Sequence, residues 1–313
     1  MKKKSFWINL VFTICIFIMT LGFSSCVNIG QDMESNIYDI TENYTNISIE
    51  ARTADFHILK VEGEQTSVSC YEYTKAKHTV EVVEDTLVIK VVDTRKWYEK
   101  IFNFKTPSIS ITMPSDKNYG DLSVKATTSD LYVDKGLQFK NIDIKLTTGD
   151  VKNYASADGD VNIEATTGDI RVENVSANQL NCSVSTGDIA IVTANCANDI
   201  KMSSTTGKMR LTNVLCKNFT ADGRTGDIIL TSVLAEEKLY IEGTTSDVKF
   251  DRCDAAEIEV KVTTGDVRGT LRSDKIFIIE SNTGEVKVPE TTTGGVCKIK
   301  VTTGDIKISI YEE

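Results

Sequence analysis

From about residue 120 onward, apolar and polar residues alternate in a pattern that resets every 19 or 20 positions. Each reset is a four-residue turn of the form Thr-Thr-Gly-Asp or a close variant. Its fourth residue falls at Asp130, Asp150, Asp169, Asp188, Lys208, Asp227, Asp247, Asp266, Glu285 and Asp305, ten copies in all. Glycine precedes it at Gly149, Gly168, Gly187, Gly226, Gly265 and Gly304, among others. A fixed period near twenty residues marks a repeat architecture.

Counting from that fourth residue, apolar side chains recur at −8, −6, −4, +1, +3 and +6, with a small residue at +8. The rung of Asp169 shows it: Val161, Ile163, Ala165, Ile170, Val172, Val175 and Ala177. Alternation on both sides of the turn predicts two strands per repeat, each with one inward face. The residues at +6 to +8 form a third, short side. One such unit cannot bury its apolar face alone, but stacked copies bury it continuously. The predicted fold is all-β: a single-stranded parallel β-helix, or β-solenoid, of about ten 19–20-residue coils over 120–313. At about 4.8 Å per coil the rod would be roughly 45–50 Å long. A propeller blade needs about 40 residues, so the period disfavours that fold.

The stretch 46–119 alternates without the twenty-residue rhythm. Strand-like runs occur at Ile47–Glu50, Thr66–Tyr73, Val80–Val83, Leu87–Val92 and Ile109–Met113. Arg52-Thr53-Ala54-Asp55 resembles a degenerate copy of the turn. These features predict an N-terminal β cap continuous with the array, because an exposed first rung needs covering.

Ahead of the cap, Lys2-Lys3-Lys4 is followed by a nearly unbroken apolar run to Phe23, then Ser24-Ser25-Cys26. This reads as an export signal over 1–26. Small residues before the cysteine resemble a lipoprotein signal, with Cys26 as the lipidated residue. The rival is an uncleaved anchor, since 18 residues at 1.5 Å give roughly 27 Å, enough to span a bilayer; simple secretion is a third option. All three place the chain outside the cytoplasmic membrane. Residues 27–45 read as a polar spacer. The formal charge is −10, and a net acidic chain without an evident basic stripe argues against nucleic acid as a partner.

The near-continuous acidic column at the turns is the tempting chemical feature, because hard cations take carboxylate oxygens. The turn lacks the glycine-rich calcium pattern of other solenoids. Gly149, Asp150, Gly168, Asp169, Gly187, Asp188, Gly226, Asp227, Gly265, Asp266, Gly304 and Asp305 are therefore read as corner residues. Glycine supplies positive φ, and carboxylates bond to backbone N–H groups. No acid is singled out from its copies, so no catalytic residue is assigned. No nucleophile motif, phosphate loop or cofactor motif occurs. Metal binding is not expected: there is no Cys-x-x-Cys and the histidines are His57 and His78. Five cysteines (Cys182, Cys196, Cys216, Cys253, Cys297) fall on inward positions and are expected as buried thiols, although Cys196 and Cys216 on adjacent rungs are within disulfide reach. The segment Asp93–Pro107 breaks the pattern. Arg95, Lys96, Trp97, Tyr98, Lys100, Phe102, Phe104 and Lys105 suit either packing on the cap or contact with a membrane surface or partner.

The Thr-Thr-Gly-Asp-(Val/Ile) repeats, the alternating strands before them, Ile109-Ser110-Ile111-Thr112-Met113-Pro114 and the N-terminal apolar segment resemble the bacterial putative-adhesin family, a β-strand-repeat family catalogued as a domain of unknown function. The resemblance covers about 46–313. It implies a non-enzymatic cell-envelope protein held at the membrane by its N-terminus, acting as an adhesin or interaction scaffold toward a protein or glycan. An envelope-stress sensor that binds a membrane component or membrane protein is the alternative. A polysaccharide-active enzyme is the third reading.

Overall fold

The computed structural model describes residues 32–97, 105–115 and 117–312. The calls at Cys26, Tyr98, Lys100, Phe102 and Phe104, and the export segment, lie outside these residues. Parallel coils stack into a β-solenoid of about nine turns, with no α-helix among the described residues.

One coil shows why the sequence folds this way. In strand Asp160–Thr167, Val161, Ile163 and Ala165 point inward and are buried. After the corner, Ile170 and Val172 of strand Ile170–Ala177 do the same. Simple alternation would next bury residue 174. Instead Asn174 adopts φ 56°, a left-handed kink that resets the phase so that Val175 and Ala177 face inward. Thr193, Asn213, Ser232 and Arg252 repeat the kink in the following coils. Small residues (Ala177, Cys196, Cys216, Ala235, Ala255) fill the narrow space behind it.

Register is kept from rung to rung. Ile142 aligns with Val161, Val161 with Leu180, Leu180 with Ile200 and Ile200 with Phe219, all inside. On the other wall Ile170 aligns with Ile189, and Ile189 with Met209. Apolar columns of this kind make one continuous core, which is what offsets the chain entropy of so many ordered strands.

Both ends depart from simple sequential stacking. At the N-terminal end the strands are β1 (Met33–Ile40), β2 (Asn46–Thr53), β3 (Asp55–Val61), β4 (Thr66–Tyr73), β5 (Ala76–Val83), β6 (Thr86–Asp93), β7 (Ser108–Pro114), β8 (Tyr119–Thr128) and β9 (Leu131–Val133). The first coil, β2–β3, is not outermost. β2 lies between β6 and β8, and β3 between β7 and β9. The degenerate turn at Asp55 thus becomes a true rung beneath Asp130. Antiparallel strands close the end: β1 on β4, β4 on β7 and β5 on β6. The polar spacer expected over 27–45 is corrected here. Met33–Ile40 pairs along its whole length with β4, and Tyr44 is buried, its hydroxyl 2.5 Å from Thr66 Oγ1.

At the C-terminal end the sequence order is exchanged. Strand Gly295–Thr303 sits between the coil ending at Thr264 and strand Lys275–Thr283. Ile306–Ile310 likewise sits between Val267–Leu271 and Val286–Lys287. Sequential stacking would make the last coil in sequence the exposed end of the rod. It is instead internal, and Ile299, Val301, Ile306 and Ile308 are buried. The coil containing Ser281 and Pro289 takes the outer place, where a polar inward residue and a missing N–H are tolerated.

Candidate functional site

The corner residues behave as a structural rail. Asp130 N–H donates to Oδ1 of Asp55 at 3.0 Å. The same bond joins Asp150 to Asp130, Asp169 to Asp150 and Asp188 to Asp169, at 2.8 to 2.9 Å. Toward the other end, Asp266 N–H donates to Asp247, Asp305 to Asp266 and Glu285 to Asp305, so the rail follows the exchanged order. Sequence reasoning placed these carboxylates on nearby backbone N–H groups. The donor proves to belong to the next coil. Lys208 N–H still donates to Asp188 at 2.7 Å, but Lys208 has no carboxylate to pass on, and its ammonium meets Asp227 at 3.1 Å. The bond from Glu285 N–H holds the Asp305 carboxyl below its ordinary range, with Lys307 adding to the effect.

Glycine is required beside the rail for two reasons. Gly149, Gly168, Gly187, Gly226, Gly265 and Gly304 have φ from 126° to 145°. A Cβ on Gly168 would also overlap the carbonyl oxygen of Gly149, and the same clash recurs along the column.

Alignment in register reveals a feature that the linear sequence hid. Two residues after each corner lies a column containing Lys152, Arg171, Arg210, Lys249, Arg268, Lys287 and Lys307. The absence of a basic stripe in the sequence reading is therefore corrected. The column does not present uninterrupted positive charge, because it is interleaved with the rail. Arg210 meets Asp188 at 3.3 Å, Arg268 meets Asp247 at 3.3 Å and Asp266 at 3.6 Å, and Lys307 meets Glu285 at 2.8 Å. The corner acids are thus occupied by backbone donors and basic side chains. Among the described residues no group of three or more His, Cys, Asp or Glu side chains is arranged to hold a metal ion.

The same outer wall carries an aromatic column near its N-terminal end. His57 and Tyr132 rings are 6.4 Å apart, and Tyr132 and Tyr154 rings 5.5 Å apart. All three are half-buried. Polar groups edge the column: Tyr132 O–H donates to Asp134 at 3.2 Å, and Arg171 donates to Glu173 at 2.7 Å. This surface was missed because its members are scattered in sequence; only the +2 and +4 positions read in register bring them together. Such a strip can stack against planar or apolar ligand faces while its rim supplies hydrogen bonds.

Of the Asp93–Pro107 segment, the base is described. Arg95 grips Asp93 through Nε at 2.9 Å and a terminal nitrogen at 3.1 Å, and lies 4.8 Å from the Tyr73 ring centre. Tyr73 O–H donates to the Lys105 carbonyl and accepts from Lys105 N–H. Arg95 and Lys105 therefore anchor the segment to β4, while Trp97 is 75% exposed. Lys96 lies on the exposed side with it.

The six described cysteines are free and buried. Burial pushes the Cys70, Cys196, Cys216 and Cys297 thiols up to about 12, with smaller effects from neighbouring charges at Cys70, Cys216 and Cys297 and from a backbone hydrogen bond to Ala177 at Cys196.

The fold has solved counterparts. A protein from Parabacteroides distasonis described as a putative lipid binding protein aligns at TM-score 0.50 with 15% identity, over 75% of this chain and 96% of that one. A putative adhesin from Bacteroides fragilis aligns at 0.47 with 15% identity, over 90% and 98%. At such identity the likeness speaks for the fold alone. No curated protein matches the chain. The Toastrack DUF4097 family model matches residues 44–204 and again 178–313, spanning the cap and the whole array. The chain belongs to the Toastrack DUF4097 family.

Proposed function

We propose that this protein is a non-enzymatic interaction scaffold of the bacterial cell envelope, adhesin-like, displayed outside the membrane by its N-terminal segment and directed at a protein or glycan. The observation that carries this reading is the half-exposed column His57–Tyr132–Tyr154 on a ruled outer wall. Aromatic side chains offer large contact area with little side-chain entropy to lose. The repeated use of the corner carboxylates Asp130, Asp150, Asp169, Asp188, Asp247, Asp266 and Asp305 as acceptors for the backbone N–H of the next coil supports a non-catalytic role. Lipidation at Cys26 belongs to the same proposal and is tested by mass spectrometry of the N-terminal peptide.

The test is binding of the purified protein to envelope and host-cell surface extracts, compared with Tyr132→Ala/Tyr154→Ala. Loss of binding with an unchanged circular dichroism spectrum supports the reading. Undiminished binding removes the column from it. Glycan turnover abolished by one corner Asp→Asn change, and by none of its neighbours, would establish an enzyme instead.

The exposed Trp97 favours a second reading, an envelope-stress sensor that touches a membrane component or membrane protein through the Asp93–Pro107 segment. Trp97→Ala should then weaken membrane or partner association while leaving surface adhesion intact.

A further inference from the structure

The outermost C-terminal coil ends the rod with an open strand edge. Strand Lys275–Thr283 has one strand neighbour among the described residues, Gly295–Thr303, and Val286–Lys287 has one, Ile306–Ile310. Its sequence is apolar: Ile276-Phe277-Ile278-Ile279. Ile276 is 41% exposed and Ile278 47%, while Phe277 and Ile279 are only partly covered by the core. Long apolar edges are normally blunted by proline, bulges or outward charges. Here Pro289 comes after the strand. Lys275 is turned inward onto Asp254 at 2.6 Å, and Glu280 is held by Lys300 at 2.9 Å. The Ser281 hydroxyl is shielded from solvent and has no hydrogen-bond partner among the described residues.

We infer that this edge is a self-association surface, pairing antiparallel with the same strand of a second copy about a two-fold axis at Ile278. The strand is self-complementary in that register. In a two-fold antiparallel pair, a residue meets one of the same parity, so both lie on the same face of the sheet. Centred on Ile278, Phe277 meets Ile279 on the core side, and does so twice. Lys275 meets Ser281 there, placing a donor-bearing residue opposite the orphan hydroxyl. On the outer side Ile278 meets itself and Ile276 meets the aliphatic stem of Glu280. Just beyond the strand start, Asp274 falls opposite Asn282, a complementary pair. Shifting the centre to Phe277 would set Asp274 against Glu280, a like-charge opposition that disfavours that register. The pairing makes one core continuous across two rods. The N-terminal end is less suited to receive this edge, because its outer strands carry Glu34, Asp39, Lys77 and Glu81.

The experiment is sedimentation equilibrium on the full chain in detergent, with Ile278→Lys and Ile278→Cys variants. The wild type should have twice the mass of one chain, and Ile278→Lys the mass of one, with both giving the same far-ultraviolet circular dichroism. Under mild oxidation Ile278→Cys should form a covalent dimer on a non-reducing gel, because residue 278 faces its own copy across the axis. Leu215→Cys, equally exposed in mid-rod, should not. A wild type of single-chain mass overturns the proposal. So do a dimer unaffected by Ile278→Lys, and longer polymers, which would mean head-to-tail stacking.

Discussion

The backbone N–H of Asp169 donates to Oδ1 of Asp150 at 2.8 Å, one coil away. Each carboxylate of the rail thereby fixes the register of its neighbour, and the column acts as a fastening between coils. Asp150→Ala removes one fastening at an exposed corner and should lower unfolding free energy by about 1 kcal/mol. Asp150→Asn retains an acceptor oxygen and should cost less than half of that. Chemical denaturation of both variants measures it. Added calcium should shift neither the wild type nor Asp150→Ala; a calcium-dependent rise confined to the wild type would restore the cation reading.

Gly168 tests the second half of the corner. Alanine there must hold φ near 133° and displace the carbonyl of Gly149. Strain of this kind costs about 3 kcal/mol. Gly168→Ala should therefore be far worse than Asp150→Ala, and the ratio of their denaturation midpoints shows it. Ser129 and Ser246 already replace glycine in two rungs. Neither has positive φ, and Ser246 Oγ reaches back to the Gly223 carbonyl at 3.5 Å. Gly168→Ser should consequently be no milder than Gly168→Ala, because the neighbouring rungs hold the glycine geometry in place.

Much of this architecture could be read from the residues themselves. The inward positions of the Asp169 coil, Val161 to Ala177, follow from alternation, and all are buried. The corner role of Gly168 follows from backbone sterics. The exchange of the last two coils could not be read, because Ile299 and Ile279 occupy equivalent inward positions and a repeat pattern does not specify which coil stacks on which. Met33–Ile40 was hidden for another reason: it packs only one side and leaves Ile37 70% exposed, so its alternation is diluted by polar residues. The column of His57, Tyr132 and Tyr154 needed the register, since residues 75 positions apart are adjacent only after the cap folds back.

The buried thiols give a chemical test of packing. Thiolate is the reactive form, and burial opposes it. Cys196 and Cys216, each pushed up to about 12, should resist alkylation in the folded protein and react fully in denaturant. Mass spectrometry after alkylation in each state reads this directly. A pair that stays unlabelled in denaturant until reductant is added would instead be a disulfide.

The cap contains a pH-sensitive element at its centre. His78 Nδ1 lies 2.8 Å from Glu72 Oε2, and His78 backbone N–H donates to the same oxygen at 2.6 Å. Asn36 donates to Oε1 at 2.9 Å. The edge of the pair faces Phe56, and His78 Nε2 is buried without a partner. Burial is the dominant influence and holds the imidazole below its ordinary 6.5, although Glu72 pulls the other way. The neutral ring donating from Nδ1 is therefore the folded form. An unfolded chain takes up this proton near 6.5 and the folded chain does so only at lower pH. Stability is then complete above the unfolded value and declines as pH falls below it toward the folded value. The urea midpoint should be flat above about pH 7.5 and fall progressively as the pH is taken below about 6.5. His78→Gln should be weaker at pH 7.5 by about 1 kcal/mol, yet lose most of that slope. Glu72→Ala should cost about 3 kcal/mol or more, because it strands two buried donors of His78 at once. An equal slope in wild type and His78→Gln would assign the pH response to other groups.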